Sequence, residues 1–129
     1  MNITEGSTMT AKIKTICSLP IKGTKARLLN KDGKEIVRLG NVELVNCEKS
    51  ALSPDGKKYE PFESWVDITF NSTNFPHLTN DYRDSSDVIQ YTLLADCVID
   101  SKPMLAKITG VYPESPSHLN GKEIVISQL

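Results

Sequence analysis

In TKARLLNKDGKEIVRL, residues 24–39, two runs of alternating polarity flank Asp32-Gly33. A period of two suits a pleated strand with one buried face, and Asp-Gly suits a two-residue turn whose residues both take positive φ. The stretch predicts a hairpin with a type I′ turn on Asp32-Gly33. That centring pairs Leu29 with Ile36, Leu28 with Val37, Arg27 with Arg38 and Ala26 with Leu39. Ala26, Leu28, Val37 and Leu39 then share the core face. The other face receives Lys25, Arg27, Lys31, Lys34 and Arg38, with Leu29 and Ile36 among them.

The same period recurs along the chain. Residues 11–19 alternate, with Ile13, Thr15 and Cys17 opposite Lys12 and Lys14, and are expected beside the hairpin as a third strand. A strand over 41–48 is expected to break from its predecessor at Gly40, and SPDGKK (53–58) reads as a turn. SWVDITF (64–70) places Val66, Ile68 and Phe70 on one face. Residues 88–100 fit two readings, a helix capped by Ser85, Ser86 and Asp87 or a strand. The alternation of Tyr91, Leu93, Ala95, Cys97 and Ile99 with polar neighbours favours the strand. Strands over 105–112 and 122–129 close the chain. Six to eight short strands with close turns predict an all-β fold, a small barrel or sandwich, with room for one short helix.

A chain of 129 residues, 39% apolar and 24% charged, is expected to form one domain over 1–129 with its own core, after a flexible polar start over 1–10. No apolar run is long enough for a membrane helix, and the first residues lack the apolar region of a secretory signal. Cys17, Cys47 and Cys97 each sit in an apolar stretch with no C-x-x-C spacing. They read as small buried hydrophobes in a reducing compartment, which points to the cytoplasm. With only His77 and His118 as imidazoles, both among turn residues, no metal, cofactor or catalytic constellation is indicated. The expectation is a non-enzyme.

Charge is unevenly placed. Residues 12–38 carry eight Lys or Arg against two Asp or Glu, whereas residues 39–105 carry five against eleven. Basic β-surfaces bind polyanions, but single-strand readers add aromatic rings for stacking, and the first 58 residues contain none. Complementary patches also steer protein partners. The sequence therefore favours docking on a protein partner, as an inhibitor or immunity-type protein, through Lys25, Arg27, Lys31, Lys34 and Arg38. A nucleic-acid-binding barrel using the same 12–38 surface is the second reading. Solvation of an exposed sheet face is the plain structural use of those cations. Residues 71–87 lack periodicity, and Phe75 and Tyr82 within them are the expected second contact region.

Replacing Phe75 and Tyr82 together with Ala tests that region. An interface role predicts lost partner binding at an unchanged melting temperature. Packing against the core instead predicts a loss of about 2 kcal/mol or more in chemical denaturation.

Overall fold

The computed structural model describes residues 12–71, 91–115 and 118–129. Phe75, Tyr82 and His77 lie outside the described residues, as does the N-terminal stretch 1–10. Eight strands form one antiparallel sheet: β1 (Ile13–Cys17), β2 (Ile21–Leu29), β3 (Glu35–Leu52), β4 (Tyr59–Phe70), β5 (Tyr91–Ile99), β6 (Lys102–Ser115), β7 (His118–Gly121) and β8 (Glu123–Gln128). The pairings β3–β2–β5–β6–β7–β4 return to β3, so six strands close a ring. There is no helix among the described residues, and 91–99 is a strand whose burial alternates as the period of two requires.

The interior of the ring is apolar. Leu28, Leu39, Leu44, Ile68, Leu93, Ile108 and Leu119 are its largest fully buried side chains, and Ala26, Val42, Val66, Ala95, Ala106 and Val111 fill between them. Burying one such large side chain contributes roughly 1.5–3 kcal/mol. Ala26, Leu28 and Leu39 lie on the core face expected from the hairpin, with Val37 packed half-buried against them.

The hairpin register agrees in its middle and departs at its ends. Leu28 pairs with Val37 and Arg27 with Arg38, but a bulge at Lys25 (φ 52°) pairs Ala26 with Gly40, and Leu29 meets Glu35. The turn is not type I′. Only Gly33 has positive φ (83°), while Asp32 does not. Gly33 N–H donates to Asn30 O at 2.9 Å, and Asn30 Oδ1 accepts the N–H groups of Asp32 and Lys34 at 2.9 Å each. The Asn30 side chain thus organises a longer turn, competing with the Asp-Gly preference. Two consecutive positive-φ residues occur instead at Asp100 (52°) and Ser101 (66°), joining β5 to β6 where Ile99 pairs with Lys102.

β3 does not break at Gly40. It runs on as an 18-residue strand whose far half pairs with β4 and, over Cys47–Ala51, with β1. β1 therefore lies beside the far half of β3, away from the hairpin. The β3–β4 turn falls at Ser53–Gly56, as expected, closed by Gly56 N–H to Ser53 O at 2.8 Å. β7 and β8 follow the same edge of β6 in succession, but only β7 also pairs with β4. The sheet is closed at one end and splits into two leaves at the other, β1–β3–β4 and β5–β6–β8.

The cysteine expectation is corrected. Cys17 and Cys47 are directly opposed across β1 and β3 and form a disulfide, with Cys17 exposed. Cys97 alone is a buried free thiol, pushed up in pKa by burial and then by the charge of Asp96. Adjacent antiparallel strands bring opposed side chains within bridging range, which no local spacing in the sequence discloses.

The ring closes where Val66–Thr69 of β4 meets His118–Gly121 of β7. A Cβ on Gly121 would stand 2.2 Å from Ile108 Cγ2, inside the core. Gly121→Ala is expected to destabilise the protein by about 1–3 kcal/mol through overpacking. Urea denaturation followed by tryptophan fluorescence measures this.

Candidate interaction face

The face is built from outward positions of four ring strands. Pairing carries a row across them, from Arg38 on β3 to Arg27 on β2, Leu94 on β5 and Lys107 on β6, ending at Val125 on β8. Adjacent strands are about 4.8 Å apart, so Arg27 and Lys107 stand roughly 10 Å apart across Leu94. Their sequence neighbours Ala26, Leu28, Ala106 and Ile108 point into the core, which fixes the outward direction of the cations.

The expected basic residues do not act alike. Arg27 is half-buried; its Nη1 donates to Lys25 O at 2.9 Å and to Asp96 Oδ1 at 3.4 Å. It holds the carbonyl of the positive-φ bulge residue and joins β2 to β5. Arg38 is exposed and meets Glu35 Oε2 at 2.7 Å, a hydrogen bond and a charge that both raise its pKa. Lys25 is exposed on the bulge, and Lys31 and Lys34 are exposed at the hairpin turn. The structure thus brings Arg27 and Arg38 together and spreads the other three along the hairpin.

Lys107 was not singled out by the sequence reading, because residues 106–129 are charge-neutral. Alternation alone turns it outward between Ala106 and Ile108. Only the β2–β5 and β5–β6 registers put it in line with Arg27.

Two aromatic rings among the described residues, Trp65 and Tyr59, carry cations away from this row. Lys49 Nζ is 5.9 Å from the centroid of Trp65, and Lys14 Nζ is 4.4 Å from that of Tyr59. Both pairs belong to the β1–β3–β4 leaf, and the middle of the basic row holds Leu94 where a stacking ring would sit. Among the described residues, no group of three or more His, Cys, Asp and Glu is arranged to hold a metal ion. Comparison with protein-family models, curated proteins and solved structures finds no match.

Arg27→Ala removes a half-buried guanidinium and leaves the bulge carbonyl and Asp96 without it. A loss of about 1–2 kcal/mol is expected in urea denaturation. Arg38→Ala removes one exposed ion pair, and its denaturation midpoint is expected to coincide with that of the parent protein.

Proposed function

We propose that this chain is a non-enzymatic binding protein that docks on a protein partner, in the manner of an inhibitor or immunity-type protein. The observation that carries the reading is the row Arg38–Arg27–Leu94–Lys107, in which cations flank an apolar side chain on a rigid sheet. Such a face suits an acidic protein surface with apolar contacts at its centre, since charge guides approach and desolvated apolar groups hold the complex. Ile36 and Val125, 38% and 54% exposed, add apolar surface on the hairpin and at the far end of the row. Asp96 beside Arg27 and Glu35 beside Arg38 offset part of the positive charge, which weakens the case for a phosphate backbone.

Capture from native lysate with the tagged protein, with and without nuclease, tests the reading together with the charge reversal Arg38→Glu, Lys107→Glu. The expected result is one protein retained after nuclease, whose association rate falls at least tenfold in the double variant at an unchanged melting temperature. Recovery that disappears with nuclease, or indifference to the charge reversal, overturns it.

A further inference from the structure

We infer that the Cys17–Cys47 disulfide is a thiol-exchange site through which a dithiol reductant, small or borne by a protein, releases β1 from the sheet. β1 gives nothing to the core: all five of its residues are exposed, and its register pairing is with β3 alone. Two further backbone hydrogen bonds flank that ladder, Ser18 N–H to Asn46 O and Leu52 N–H to Lys12 O, each 2.8 Å. A short exposed strand with one neighbour opens readily, and the covalent bond is what prevents it. The two sulfurs are unequal. Cys17 is exposed, whereas Cys47 is 2% exposed, and both line a cleft of about 480 Å³ that separates the β1–β3–β4 leaf from Lys122–Val125. Asp67 Oδ2 lies 3.8 Å from Cys47 Sγ, and Asp67 Oδ1 lies 3.0 Å from His118 Nε2.

The chemistry follows from that asymmetry. A thiolate of the reductant attacks the accessible Cys17 sulfur; the Cys17–Cys47 bond breaks, and a mixed disulfide forms on Cys17. Cys47 leaves as a thiolate and takes from water the proton that the attacking thiol gave up. Its new S–H then has Asp67 Oδ2 within reach as acceptor. The second thiol of the reductant displaces Cys17, so the protein disulfide gains two electrons and the reductant becomes a disulfide. β1 is then held by non-covalent contacts alone (its exposed ladder, the hydrogen bonds that flank it and Lys14 over Tyr59), and its departure bares the backbone edge of Cys47–Ala51. Exposed disulfides of this kind are the labile ones in a reducing compartment.

The air-oxidised protein, titrated with dithiothreitol at a temperature where it stays folded, is followed by thiol alkylation and by amide hydrogen exchange read by mass spectrometry. Cys17 is expected to become alkylated while buried Cys97 does not. Exchange over residues 12–18 and 47–52 is expected to rise at least tenfold, with β5 and β6 unchanged. Cys17→Ser should show the raised exchange without reductant and no response to it, and the parent titration decides the matter if that variant does not fold. Three free thiols before reduction, thiols appearing only when β5 and β6 lose protection, or reduction without faster exchange in β1 each overturn the inference.

Discussion

Everything in this fold hangs on a four-residue seam. Val66–Thr69 and His118–Gly121 form the contact that turns a run of paired strands into a ring. Inside the seam, Val66, Ile68 and Leu119 are fully buried, and Gly121 lets Ile108 approach the β7 backbone. Outside it, the Asp67 carboxylate meets His118 at 3.0 Å. Closure satisfies the strand edges that an open sheet would expose, and it gives inward side chains a common interior. A β7 of only four residues suffices because its neighbours on both sides are long.

The closed end and the split end have different characters. The ring presents a stiff wall, and the basic row crosses it on strands whose other faces are locked in the core, running out onto β8 of the β5–β6–β8 leaf. The split end carries cleft walls, exposed isoleucines and the disulfide. Ile13 and Ile16 are 54% and 51% exposed there. The two sites meet at Val125, which ends the basic row and also lines the cleft beside the disulfide.

How much of this was legible depended on whether the deciding interaction was local. Alternation about the turn identified Ala26, Leu28, Val37 and Leu39, and it favoured a strand over a helix for residues 88–100, of which 91–99 is a strand. The Leu28–Val37 and Arg27–Arg38 pairs followed from the turn's approximate centre. The turn type departs from the Asp-Gly expectation because the Asn30 side chain takes the Asp32 and Lys34 amides. The disulfide was hidden, since 30 residues separate its cysteines and only the β1–β3 register brings them together. Likewise His118 read as a loop residue: four residues of β7 are too few for a periodic signal, and Asp67 is 51 positions away. Lys107 needed two strand pairings before it joined Arg27. Phe75 and Tyr82 lie outside the described residues.

The covalent loop from Cys17 to Cys47 also sets how the molecule bears load. A pull at residue 12 against residue 129 acts on β1 and β8, which each pair with one neighbour, β3 and β6. Both can be peeled pair by pair. Peeling from the β1 side ends at Cys17, because the 30-residue span to Cys47 cannot lengthen while the disulfide is intact. At about 3.4 Å per residue, that withholds roughly 100 Å of contour from extension. Tension therefore bypasses the β2–β3 hairpin and arrives directly in the far half of β3, next to the strand that seals the ring.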